Sequence, residues 1–166
     1  EVRDIQKVTV YDQRREAAKK YQKEMEEKYK VPVMVCDSVE EAVKGAEIIC
    51  TVTPSKEPYL KAEWIAPGAH INAVGAFTPN TREIESSLMA KAKLYADQVE
   101  AMKKECGEYL IPKNEGLFGE EHITGSIGGI LAGQVPGREN DTEITLFDAL
   151  GLAVEDVACG RFLCRE

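Results

Sequence analysis

Ile48-Ile49-Cys50-Thr51-Val52-Thr53, stopped by Pro54, is a short run that is apolar on both faces. A strand of that kind belongs inside a parallel sheet, where both sides are covered. His70-Ile71-Asn72-Ala73-Val74-Gly75-Ala76 reads as a second one, followed by the turn Thr78-Pro79-Asn80. Towards the N-terminus, Lys7 to Asp12 alternates as a strand, with Val8 and Val10 on one face and Thr9 and Tyr11 on the other. The spacing of Ala17, Tyr21, Met25 and Tyr29 predicts a helix over about residues 14–29, with those four on its inner face. Val31 to Cys36 reads as a strand that tolerates Pro32 at its start. Ser38 with Glu41 has the form of a capping box, and Gly45 closes the short helix it opens.

Beyond the second strand the alternation continues. A helix is expected over about 84–92 and a strand at Leu94–Ala96. A further helix follows, with Asp97 as N-cap and Gly107 as its stop. Residues 108–122 read as irregular, 123–132 as helical despite the glycines, Thr142 to Phe147 as a last strand and Val154 to Leu163 as a last helix. Alternation from end to end implies an α/β fold: a Rossmann-like, doubly wound, mostly parallel sheet with helices on both faces.

The 166 residues are 43% hydrophobic and 30% charged, which suits a folded domain and not a disordered chain. No apolar run approaches the roughly 18 residues needed to cross a bilayer, and Glu1-Val2-Arg3-Asp4 holds no secretory h-region. With a net charge of -8 and no basic cluster, neither nucleic acid nor an anionic membrane is an expected partner. The five cysteines follow no zinc or C-x-x-C spacing, so buried free thiols, a cytoplasmic location and no metal are expected. The stretch Gly125-Ser126-Ile127-Gly128-Gly129 lacks the Gly-Lys-Ser/Thr of a phosphate loop, and close packing around small residues is the better account. Glu83 and Glu85 read as acids favoured at a helix start.

Asp12 carries the most information. An acid at the end of a strand, just before a helix, is either the helix cap or the acceptor for the ribose hydroxyls of a dinucleotide. The glycine-rich fingerprint should lie about 20 residues before that acid, which here falls before residue 1. Val2-Arg3-Asp4-Ile5 then reads as the tail of the fingerprint helix, with the first strand and the glycine-rich loop missing. The expectation is a fragment: residues 1–150 an incomplete dinucleotide-binding domain, and 151–166 a helix leading back towards an absent substrate domain.

Two stretches carry a resemblance. They are Gly68-Ala69-His70-Ile71-Asn72-Ala73-Val74-Gly75-Ala76, with Pro79 and Arg82-Glu83, and Glu143-Ile144-Thr145-Leu146-Phe147-Asp148-Ala149-Leu150-Gly151 through Ala158. Together with Thr51-Val52-Thr53 and Gly137-Arg138 they resemble the ornithine cyclodeaminase/mu-crystallin family over nearly the whole chain. The resemblance implies hydride transfer between a nicotinamide cofactor, NAD(H) or alternatively NADP(H), and the amine- or imine-bearing carbon of a small amino or imino acid. It implies a cyclic imino acid reductase or amino acid dehydrogenase, with a homodimer in the complete protein. The alternatives are a proline-forming ornithine cyclodeaminase, a binding protein of mu-crystallin type, and a chain inactive by itself.

The residues carried over as cofactor-binding are Asp12, Arg14, Thr53, Ile71, Asn72, Ala73, Val74 and Gly75. Arg14 and Arg15 could hold a 2′-phosphate instead of leaving Asp12 to hold a ribose. Phe77 stands where the cyclodeaminases have a catalytic aspartate, and Thr81 where they have a lysine. No catalytic residue is therefore assigned.

Overall fold

The computed structural model describes residues 3–164, which fall into two compact units, Glu1–Ala46 and Glu47–Glu166. In the first, β1 (Val8–Val10) and β2 (Val33–Val35) form a two-stranded parallel sheet, joined by α1 (Arg15–Tyr29) and followed by α2 (Val39–Val43). The strands and helices expected from Lys7 to Gly45 are all present. The inner face of α1 is rotated from the expected one: Ala18 is buried, Ala17, Gln22 and Met25 are half-buried, and Tyr21 and Tyr29 are exposed. Polar anchoring turns the helix. The Gln22 side chain donates to Val33 O, and Glu26 Oε1 accepts from Val33 N at 2.9 Å, so two polar residues hold the start of β2. Ser38 Oγ accepts from Glu41 N at 3.1 Å, one half of a capping box, while the Glu41 carboxylate accepts from Asp37 N, one residue before the N-cap. The expected helical tail at Val2–Ile5 is not seen: Val2 lies outside the described residues, and Arg3 to Lys7 are non-helical.

The second unit holds a five-stranded, all-parallel sheet in the order β3-β4-β7-β5-β6. Its strands are β3 (Ile48–Thr51), β4 (His70–Ala73), β5 (Lys93–Ala96), β6 (Ile123–Ser126) and β7 (Thr145–Asp148). Register places Ile49, Ile71, Leu146 and Leu94 in one row and Thr51, Ala73, Asp148 and Ala96 in the next. All eight are buried, and this face is the core. Helices α3 (Ser86–Lys91), α4 (Val99–Glu105) and α5 (Gly107–Asn114) pack with one another, and α4 also packs on β5 and β6. Over β5 and β7 the opposite face is covered by 136–143. There Tyr95 Oη donates to Pro136 O, and Arg138 donates to Thr145 Oγ1 and Ala69 O.

Several readings change here. β3 is an edge strand, not a central one, and Ile48 and Cys50 are exposed on its open face. Asp97 is not the cap of α4; the Gln98 side chain is, while Asp97 joins Gln98 N to Gly151 N. Gly107 opens α5 instead of ending α4, because a Cβ there would lie 2.2 Å from Thr81 O. Residues 123–132 split into β6 and the short α6 (Ile127–Leu131), with Val135 filling the space that Gly125 and Gly129 leave. The last helix, α7 (Ala153–Leu163), is exposed along its whole length. All five cysteines are free, but only Cys36 and Cys106 are buried. Among the described residues no helix is long and apolar enough to cross a membrane.

Candidate functional site

In an open parallel sheet the strand ends all point their carboxyl termini the same way, and ligands bind beyond that edge. Thr53 and Gly75 sit just past the ends of β3 and β4. The last ladder bond between these strands runs from Val74 N to Thr51 O at 3.0 Å. From there a side chain takes over. Glu83, which is fully buried, accepts at Oε1 from Thr53 N (2.6 Å), Thr53 Oγ1 (2.7 Å) and Tyr59 Oη (2.6 Å). Its Oε2 accepts from Gly75 N at 3.0 Å. Burial and these contacts push the Tyr59 phenol well above its ordinary pKa, so it stays a donor. Gly75 is needed for this approach: a Cβ would stand 2.2 Å from Thr53 O and 2.6 Å from Glu83 Oε2.

The carried-over strand residues divide by the period-two alternation of β4. Ile71 and Ala73 are buried in the core face, whereas Asn72 and Val74 point to the opposite face. Asn72 Oδ1 meets His70 Nε2 at 3.3 Å, and His70 Nδ1 meets Thr145 Oγ1 at 2.8 Å. Burial lowers the His70 pKa, so the ring is neutral and takes no part as a cation. Val52, Val74 and Phe77 are exposed and give the strand ends of this unit an apolar lip beside Thr53 and Gly75.

A second layer of carboxyls stands behind Glu83. Glu108 is fully buried and accepts from Glu83 N (2.5 Å) and Ile84 N (3.2 Å); burial raises its pKa to about 8. Asp148, at the end of β7, is raised to about 7 by burial, with Asp97 and Glu83 adding to the rise. Its Oδ2 accepts from the Cys106 thiol at 3.4 Å, and its Oδ1 has no hydrogen-bond partner among the described residues. Burial also raises the Cys106 thiol, which stays protonated. The sequence reading missed Glu108 because 108–122 read as irregular, and it placed Glu83 at a helix start. The Arg82-Glu83 pair was the only signal for the latter.

In the first unit, Asp12 follows β1. Its Oδ1 accepts from Arg14 N at 2.7 Å, the turn that starts α1, while Oδ2 makes no hydrogen bond among the described residues. Asp12 is therefore not the helix cap: the N-cap of α1 is Arg14, which carries no side-chain cap, and Asp12 Oδ1 only closes the turn before it, leaving Oδ2 available. Arg14 is exposed and 3.8 Å from Asp12 Oδ1, and Arg15 is paired with Asp37.

Residues 1–165 match the ornithine cyclodeaminase/mu-crystallin family. The chain belongs to that family. It is 40% identical over 163 residues to Delta(1)-pyrroline-2-carboxylate reductase of Bacillus cereus, covering 98% of this chain and 50% of the relative. The Thermococcus litoralis Delta(1)-pyrroline-2-carboxylate reductase, solved in complex with NADH and L-proline, superposes with a TM-score of 0.94 at 39% identity. That match covers 96% of this chain and 50% of the other. An archaeal alanine dehydrogenase dimer with bound NAD gives a TM-score of 0.90 at 40% identity, over 96% and 49% of the two chains. The chain thus spans about half the length of the relatives it matches.

Proposed function

We propose that the complete protein reduces cyclic imino acids with NADH, and that this chain is its dinucleotide-binding part. The observation that carries the reading is the likeness to the T. litoralis reductase, whose complex holds NADH and proline, the amine product of such a reduction. The residues fit the cofactor. The available Asp12 Oδ2 suits a ribose hydroxyl donor, and the apolar lip of Val52, Val74 and Phe77 suits one face of a nicotinamide ring. Thr53, Gly75 and the backbone of Ile71–Val74 would hold that ring. When bound, the cofactor supplies the hydride.

The chain's own part is to orient the ring and shield it. Phe77 has no proton to give, so the strand end does not supply the acid–base group that ornithine deamination requires. Because Arg15 is engaged by Asp37, only Arg14 is left to meet a 2′-phosphate, which favours NAD(H) over NADP(H). Residues 1–150 form the dinucleotide-binding part, and α7 leads on to a substrate domain. A homodimer and a cytoplasmic location complete the reading, the latter in keeping with five free thiols.

The test is NADH consumption by the full-length protein with Δ1-pyrroline-2-carboxylate, against NAD+ reduction with proline and with alanine. Imine reduction is the expected result. Proline and ammonia from ornithine, or tight NADH binding with no turnover of any of these compounds, would overturn it.

A further inference from the structure

A buried carboxyl is an expensive way to satisfy backbone donors, since charge is being removed from water. Yet Glu83, fully excluded from solvent, collects four donors from three separate segments: Thr53 N and Oγ1, Tyr59 Oη, and Gly75 N. Every group facing its oxygens is a donor, so the side chain acts only as an acceptor. Two of those donors are the main-chain amides at the tips of adjacent strands, beyond the last ladder bond. Among the described residues no other hydrogen bond ties residue 53 to residue 75.

Glu83 is itself held firmly. Its amide donates to Glu108 Oε1, and its carbonyl accepts from Tyr59 N (2.8 Å) and Leu60 N (2.9 Å). The contact is too tight for a Cβ at residue 75, so the separation of the two tips is set by the reach of one side chain.

We propose that Glu83 is a positioning residue for the reaction: by joining the Thr53 and Gly75 peptides it fixes the surface against which the nicotinamide ring lies, and so the distance for hydride transfer. This rests on the reductase reading above. Glu83 touches neither substrate nor cofactor, and its effect passes through the two peptides.

Glu83→Gln in the full-length protein tests this directly. The amide keeps one oxygen for the three donors at Oε1 and turns an N–H₂ towards Gly75 N, where two donors then face each other. The tip of β3 stays held and the tip of β4 is released. Misplacement on the order of 1 Å can cost about 100-fold in rate. The expected result is a kcat for Δ1-pyrroline-2-carboxylate lowered by about 10- to 100-fold. KM should be nearly unchanged, and hydrogen exchange should be faster at the Gly75 amide but not within β4.

Tyr59→Phe is the second variant, usable even if the first does not fold. It removes one donor at Oε1, and a loss of about threefold to tenfold in kcat is expected, the size of one hydrogen bond. Wild-type kcat in either variant would overturn the positioning role. So would a loss of rate that follows only the loss of folded protein. If the unmodified protein turns over no imine or amino acid, the reductase reading fails and takes this proposal with it. An active parent with an unimpaired Glu83→Gln variant removes the positioning role alone.

Discussion

Asp148→Asn should gain stability relative to the unmodified protein as pH rises from acid to neutral. Asp148 is 1% exposed; among the described residues its Oδ1 has no hydrogen-bond partner, and its Oδ2 has only the Cys106 thiol. Its pKa stands at about 7 against an ordinary value of 3.8. The sign follows from linkage. A carboxyl raised in the folded state holds its proton where the unfolded chain has lost it. Its contribution to stability is therefore fully present below the unfolded pKa and is lost as pH rises towards the folded one.

That loss runs at about 1.4 kcal/mol per pH unit and levels off near pH 7, for a total on the order of 4 kcal/mol. Asparagine does not titrate. Whatever its amide costs or gains in the pocket is the same at every pH, so the change in the stability gap with pH isolates the ionisation. Asp97, Glu83 and Cys106 face the same carboxyl. All three are present in both proteins, as is Glu108, whose pKa the Asp148 carboxyl also raises. Urea unfolding of both proteins between about pH 5 and about pH 8 is the measurement. The gap should widen in favour of the variant by at least about 2 kcal/mol, half of the full linkage value. A gap that stays flat, or narrows as pH rises, would refute the reasoning.

Three further outcomes follow from the packing. Gly107→Ala places a methyl 2.2 Å from Thr81 O and 2.7 Å from Thr78 O, both backbone atoms that cannot swing aside. Overpacking of this kind costs about 1–3 kcal/mol and should lower the Tm by several degrees in a calorimetric scan. Asp12→Ala removes a charged acceptor worth about 1.5–3 kcal/mol. NADH titration of the full-length protein should therefore show affinity about 10- to 100-fold weaker. Of the five free thiols, Cys50, Cys159 and Cys164 are exposed. A native chain treated with iodoacetamide should take up label there and at Cys36 and Cys106 only after unfolding, as read by mass spectrometry.

The elements that were legible in the sequence are those whose own residues decide them. β4 and β7 are short segments carrying β-branched and apolar residues, α1 is long and periodic, and α2 opens at Ser38 with Glu41 three residues on. The misread elements are decided elsewhere in the chain. α5 begins at a glycine and contains Pro112, both poor signals for a helix. It forms because Gly107 N is held by Thr78 O, the Glu108 carboxyl by two amides of the 83–84 segment, and Tyr109 is fully buried. The face of α1 was misread for a related reason. Periodicity counts Tyr21 and Tyr29 as apolar, whereas half-buried Gln22 and exposed Glu26 hold the start of another strand by hydrogen bonds. Of the candidate site, Thr53 and Gly75 were legible by family resemblance. The group that joins them was not, because a lone Glu after Arg82 gives no sign of partners 30 and 8 residues away.

The buried acids share one physical logic, and it separates Asp148 from the rest. At the carboxyl edge of a parallel sheet the chains leave their ladders and their amide groups lose partners, which buried backbone cannot tolerate. Three carboxyls answer this by each joining two amides from the connecting segments. Glu83 serves residues 53 and 75, Glu108 serves 83 and 84, and Asp97 serves 98 and 151. Each carboxyl meets donors that would otherwise be unsatisfied, so removing any of the three strands two amides. Among the described residues Asp148 serves none; it lies among neighbours already paired by the ladders of β4 and β5 and receives only a thiol. The same substitution, acid to amide, should therefore loosen the site at residue 83 and favour the fold increasingly with rising pH at residue 148.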